Sequence, residues 1–413
     1  MTTSFDLASL DIATPEHYER GGYPHREWAY LRKHAPLFWY ERPNFDPFWV
    51  VSKHADIVWL SKQPERLLNA PRLAVFPSDL PPPPEGETRH LLNMDPPDHA
   101  KYRRVASKRF TPRAVQGWEP KVRRITREIL DKAGQRERID FVQDVSAPIT
   151  IAVIALMLGV PEKDWPLLFR WTNEIIAPQD PEFQRDGDTQ KTIDEARMEV
   201  FTYFNALAEQ RRKQPGDDIV TEVANGAVDG RALPPVELLS YLFLLVVAGN
   251  ETTRNAMTGG MLAFIDNPGE WKRLQDNEAL VTPAIEEIVR WTTPVIQFCR
   301  TTTEDFTLRG QQIRAGQSLC LFYPSANRDE EIFPDGDVFR IDRHPNDHVG
   351  FGRGEHVCLG AHLARLEIRA VFEELRTRLV HAEVAGPVDR VRSSFVGGIK
   401  RVPLRWELRP ARR

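Results

Sequence analysis

The stretch from Leu238 to Val247 is apolar around its whole helical circumference. A helix without a polar face has to cross a core. The pattern continues to about Phe264, so this segment is predicted to be the central helix against which other elements pack. Its longest apolar run, Tyr241 to Ala248, is far short of the roughly 20 residues that span a bilayer. The segment then breaks its own pattern. Ala248-Gly249-Asn250-Glu251-Thr252-Thr253 puts a glycine, an acid and two hydroxyls into a buried helix. Gly249 costs about 1 kcal/mol relative to alanine, and buried polar groups cost more unless they are bonded. Two local explanations are open: Thr252 bonds back to the Ala248 carbonyl and bends the helix, or Glu251 closes a buried ion pair. The third is that these residues face a cavity in which chemistry is done.

A second stretch, Phe351-Gly352-Arg353-Gly354-Glu355-His356-Val357-Cys358-Leu359-Gly360, narrows that chemistry. Strong helix formers follow from Ala361 to Leu375. Cys358 is therefore predicted in a glycine-rich loop running into a helix N-terminus. Backbone N–H groups and the helix dipole should favour its thiolate, the form that binds metal. Gly354 and Gly360 are the expected turning points, and Phe351 is placed to shield the sulfur. One thiolate cannot make a zinc site, which usually needs four ligands. It can be the single axial ligand of a haem iron.

The pattern F-G-x-G-x-H-x-C-x-G resembles the haem-binding loop of the cytochrome P450 family. The hexapeptide at Ala248 is similar to that family's [AG]-G-x-[DE]-T-[ST] oxygen-activation motif. His99 and Arg103 match an H-x-x-x-R pair that holds a haem propionate; four residues apart, they share a helix face. Arg300 and His356 match further propionate contacts, and such charge-assisted hydrogen bonds are the strong kind. Glu287, Arg290 and Arg343 match a buried structural cluster. The likeness runs from about Trp49 to Trp406. It implies a mainly α fold with a smaller β-rich region, one haem domain over 1–413 without a fused reductase, and haem b between the central helix and the cysteine-loop helix. Cys358 is the implied iron ligand, with Phe351, Gly352, Ala248 and Gly249 against the haem and Gly249 leaving room over the iron. Glu251 and Thr252 are the implied proton handlers. Val247, Val295, Ile296, Phe298, Phe395 and Val396 are expected to meet substrate.

Elsewhere the pattern is coarser. A loop and short helix are predicted over 14–34, a strand around Phe48 to Val51 and a helix near 55–62. Six prolines between Ala70 and Leu92 make that segment a loop with a stiff Pro81–Pro84 piece. Asp95-Pro96-Pro97-Asp98 signals a helix start, and the helix should run to about Phe110. The chain should be mostly helical from Val122 to Lys213, with a buried helix at 149–158 and a mobile connection at 177–189. Short strands are expected at 296–301, 306–308 and 318–322.

The net charge of −4 gives no reason to expect nucleic acid. Three cysteines, Cys299, Cys320 and Cys358, make no disulfide framework, which favours a reducing, cytoplasmic setting. Charged residues through the first thirty positions argue against a signal peptide or membrane anchor. The implied activity is insertion of one oxygen atom of O₂ into a C–H bond of an apolar small molecule of steroid, terpenoid or fatty-acyl type. Electrons would come from a ferredoxin and an NAD(P)H-dependent ferredoxin reductase. Arg104, Lys108, Arg109, Arg113, Arg365 and Arg369 are expected to form a basic docking patch. A peroxide-driven enzyme on the same fold would lack the Glu251-Thr252 pair. A gas-binding haem protein would not need it.

Overall fold

The computed structural model describes residues 6–78 and 89–411. The central helix is Pro235–Asp266, longer at both ends than the apolar pattern suggests. Proline in its first turn and Glu237 beside it suit a helix start. Its length and hydropathy would allow a membrane span, but 61% of its most apolar window is buried against protein. It packs on the helices Ala147–Leu158, Trp165–Ile176, Val281–Thr292 and Ala361–Arg378. Ala147–Leu158 is buried on nearly every side, as its sequence requires.

The smaller β region holds a five-stranded sheet ordered Leu37–Arg42, Phe45–Val51, Ser318–Phe322, Gln297–Thr302, Leu67–Leu68. Strands from the first 70 residues thus pair with strands beyond 296. This brings Arg300 toward the helix Asp98–Ser107, which carries His99 and Arg103.

Several expectations need adjustment. The N-terminal segment forms two helices, Pro15–Gly21 and His25–His34. The helix expected from Val122 starts at Pro112 and runs through Pro120. The Thr111 hydroxyl accepts from Ala114 N–H at 3.3 Å and caps its start. The 177–188 connection is irregular as expected but fastened. Asp180 is fully buried, and both its oxygens accept from Lys400 at 3.0 Å. The Pro81–Pro84 segment lies outside the described residues.

Glu287, Arg290 and Arg343 form the buried cluster that the resemblance implied. Arg290 donates to both Glu287 oxygens at 2.7 Å, and Arg343 Nε reaches one of them at 3.2 Å. Remaining guanidinium donors meet the carbonyls of Asn327, Gly336 and Pro334 at 2.7–2.8 Å. The cluster pins the segment that leads into the cysteine loop.

Candidate active site

A cavity opens between the central helix and the loop and helix around Cys358, with about 1750 Å³ of empty space, part of it open to solvent. Three of its surfaces matter: a cysteine wall, a cationic edge and an apolar roof.

The cysteine wall is shaped by backbone. Gly352 and Gly354 have φ of 69° and 73°, and a Cβ on Gly354 would sit 1.9 Å from the Ser61 carbonyl oxygen. Gly360 has an ordinary φ of −86°. The turn is therefore made by Gly352 and Gly354, not by Gly354 and Gly360. Cys358 N–H donates to Phe351 O at 2.8 Å and closes the loop. Phe351 also lines the cavity, under the Arg365 guanidinium 4.4 Å from its ring centroid.

Cys358 is exposed, its side chain facing the open cavity. Desolvation by the surrounding protein pushes the thiol pKa up, and the Gly360 N–H, Arg103 and Arg365 oppose it. The thiolate expected from the helix N-terminus is thus opposed by desolvation. A coordinating metal ion deprotonates such a thiol outright.

At the edge, His99, Arg103, Arg300 and His356 all line the same cavity. The two imidazoles stack with centroids 3.9 Å apart. Arg103 Nη2 donates to Val357 O and Arg300 Nη1 to Cys299 O, both at 2.7 Å. His356 Nε2 sits 2.7 Å from Asn69 Nδ2, and the Asp95 carboxylate holds Asn69 in turn. Both ring nitrogens of His99 are buried without a hydrogen-bond partner. Burial, then Arg103, lowers the His99 pKa to about 4. Burial, then His99, Arg300 and Arg103, lowers that of His356 to about 2. Four basic groups, with the two His99 nitrogens unpartnered, make a cradle for anions, and two carboxylates on the rim of a macrocycle fit it.

Val247, Ala248, Gly249 and Thr252 line the wall formed by the central helix. Gly249 does more than leave space in the cavity, because a Cβ there would meet Ile154 Cδ1 at 2.8 Å. Glycine is needed for the helices to approach. Thr252 Oγ1 donates to Ala248 O at 3.0 Å, the local bond considered above, while the residue stays on the cavity wall. Glu251 does not line the cavity. It is 1% exposed, and its Oε1 accepts from Arg254 and, at 3.3 Å, from Asn255 Nδ2. Successive helix residues project about 100° apart, so Thr252 faces the cavity and Glu251 turns into the protein. Glu251 Oε2 has no partner.

The roof is apolar. Val295, Phe298, Phe395 and Val396 line it, with Leu91, Leu92 and Ile176. Phe298 and Phe395 meet edge to face at 5.4 Å. Ile296 is excluded: it lies just before the strand Gln297–Thr302 and is fully buried in a separate core with Cys299 and Phe322. Two wall residues were not anticipated. Asn69 carries His356, and only the Asp95 turn could have hinted at it. Glu367 is fully enclosed, its Oε2 has no partner, and burial raises its pKa well above the carboxylate range. Its signal was an acid four residues after Leu363 on an otherwise apolar helix face.

The expected basic patch is largely neutralised. Lys108 and Arg109 pair with Glu222, Arg365 with Glu286, and Arg369 lies 3.7 Å from Glu119. Among the described residues, Arg104 and Arg113 have no carboxylate partner.

Comparison with known proteins agrees with this geometry. The chain is 39% identical over 401 residues to a steroid C26-monooxygenase of Rhodococcus jostii, covering 95% of this chain and 83% of that one. It is 37% identical over 413 residues to a methyl-branched lipid omega-hydroxylase of Mycobacterium tuberculosis, covering 97% and 94%. A cytochrome P450 of Mycobacterium marinum solved with pseudoionone superposes with a TM-score of 0.90 at 33% identity, covering 97% and 99%. The Cytochrome P450 family profile matches residues 17–378, and with the cysteine wall and cationic edge already in place, the chain belongs to the cytochrome P450 family of haem monooxygenases.

Proposed function

We propose that the protein hydroxylates an apolar small molecule of steroid, terpenoid or fatty-acyl type, with haem b as its cofactor. A ferredoxin and an NAD(P)H-dependent ferredoxin reductase supply the electrons, and the setting is cytoplasmic. The observation that carries the reading is one apolar cavity with Cys358 on one wall, Thr252 on another and four basic groups at its edge. Bound haem supplies the oxidising chemistry, inserting one oxygen atom of O₂ into C–H while two electrons and two protons turn the other into water.

The chain's own residues do the rest. Cys358 would hold the iron through its sulfur, and coordination would deprotonate the thiol. His99, Arg103, Arg300 and His356 would hold the two propionates. Thr252 keeps a hydroxyl at the wall and can turn its proton from Ala248 O toward the cavity. Glu251 faces away and is paired with Arg254, so a part in proton supply requires its side chain to rotate or to work through water. The roof of Val295, Phe298, Phe395 and Val396 holds substrate by burial, at about 25 cal/mol per Å² of apolar area. The names of the relatives, acting on steroids and methyl-branched lipids, support the same substrate class.

The test is product formation by haem-loaded enzyme with a ferredoxin system, after a Soret-shift screen of steroids, terpenoids and branched acyl chains. Shifts with apolar lipids and NADPH-dependent product are expected. Product with peroxide alone but not with NADPH would contradict the electron route. A clear shift with a small charged metabolite would contradict the substrate class.

A further inference from the structure

A second cavity lies further along the central helix, between its C-terminal half, the N-terminal helices and the 390–399 hairpin. It has about 990 Å³ of empty space, part of it open to solvent. Its charge is unlike that of an ordinary crevice. Arg328, Arg390 and His25 all line it. Arg328 is 8% exposed, and its Nε–H is buried with no acceptor. Its guanidinium is fixed by Asp337 at 3.0 Å on one nitrogen and by the Trp291 ring, 3.8 Å away. His25 Nδ1 is also buried without a partner. Among the described residues no carboxylate pairs with Arg390. The only acid on the wall is Asp266, exposed at the end of the central helix.

We propose that this cavity is a second binding site, for a small carboxylate with an apolar or aromatic body. The carboxylate supplies what the wall lacks, an acceptor for Arg328 Nε–H and a counter-charge for Arg390. Buried donors in proteins are otherwise almost always satisfied. A guanidinium also offers a planar fork that matches a carboxylate. Tyr18, Tyr23, Trp291, Leu262 and Val391 supply the apolar surface for the body of the ligand. Burial lowers the Arg328 pKa to about 10 against the pull of Asp337, with Arg290 and Arg32 adding repulsion. Burial, then Arg328, Arg32 and Arg290, also holds the His25 pKa well down. The site adjoins the catalytic helix: Asn255 lines it and donates to Glu251 Oε1.

Benzoate is the probe, titrated calorimetrically into haem-loaded enzyme while the Soret band is followed. Saturable binding with an unmoved Soret band is expected. Arg390→Ala, at a residue with no ion pair to lose, should weaken binding about tenfold or more, the loss of roughly one charge-assisted contact. Leu262→Trp keeps every charge but fills the space, and should abolish binding. The proposal is overturned if benzoate gives no saturable heat up to its solubility, or if both variants bind it like the parent. A Soret shift that tracks the binding isotherm also overturns it, because benzoate is then in the haem cavity.

Discussion

Two clusters of buried charge stand near the cysteine loop, and they are built to opposite rules. Around Glu287 every charge meets an opposite one or a carbonyl: Arg290 and Arg343 share one carboxylate, and the spare guanidinium donors end on backbone oxygens. Around His99 the cluster is only partly closed. Arg103 and Arg300 each donate to a backbone carbonyl, the Glu355 carboxylate stands 3.9 Å from His99 Nδ1, and both His99 ring nitrogens lack a hydrogen-bond partner. A closed cluster stabilises the fold by itself and has no capacity left for a ligand. An open one weakens the isolated protein and gains its partners only when an anionic group arrives. The contrast fits the structural role proposed for the Glu287 cluster and the cofactor-holding role proposed for the His99 edge.

The sharpest way to break the contrast is Glu287→Ala. It strands two buried arginines and should cost about 3–5 kcal/mol in urea unfolding of the cofactor-free protein, the usual penalty for halving a buried pair. Cys358→Ser should do the reverse, leaving cofactor-free stability within about 1 kcal/mol. It should abolish the red-shifted CO-bound Soret band, which Cys299→Ser and Cys320→Ser should retain. If either of these loses the band while Cys358→Ser keeps it, the ligand assignment is wrong. Thr252→Val keeps β-branching, so haem and substrate should still bind while product per NADPH falls severalfold and peroxide rises. Unchanged coupling would leave Thr252 as a helix-bending residue only.

A smaller effect appears in pH. An unfolded histidine takes up a proton below about 6.5. Folded His99 and His356 resist until about 4 and about 2. The unfolded chain therefore binds more protons in that window, so these groups make cofactor-free stability fall as pH drops from 6.5 toward 4. Replacing both with glutamine should flatten that fall. An identical slope in the double variant would mean the edge does not repel protons as described.

The sequence made the cysteine loop legible because its glycines, histidine and cysteine act through local backbone geometry. The His99–Arg103 pair was legible through the family's H-x-x-x-R pattern; helix spacing by itself fixes only that the two share a face. Orientation was harder to read. Glu251 and Thr252 are neighbours in a motif, yet one faces the cavity and the other Arg254, and only the rotation of the packed helix decides which. Ile296 failed for another reason: it precedes the strand Gln297–Thr302, so the alternation that would put it on the face of Phe298 and Arg300 does not apply to it. Gly249 needed knowledge of Ile154, almost a hundred residues earlier. The Cys358 thiolate was read from its helix terminus, which is visible in sequence; the opposing desolvation is not. The basic patch failed because its acidic partners, Glu222 and Glu286, come from distant elements.

The central claim is that the cationic edge is completed by carboxylates of the cofactor. Haem and its dimethyl ester differ only at those carboxylates, so their affinities for the cofactor-free protein test it most directly. The account predicts that the ester binds about a hundredfold more weakly or worse, from two charge-assisted groups at roughly 1.5–3 kcal/mol each. It also predicts that Arg103→Ala narrows the gap by weakening only the free acid. Equal affinity for haem and its ester, with Cys358 intact, would contradict it.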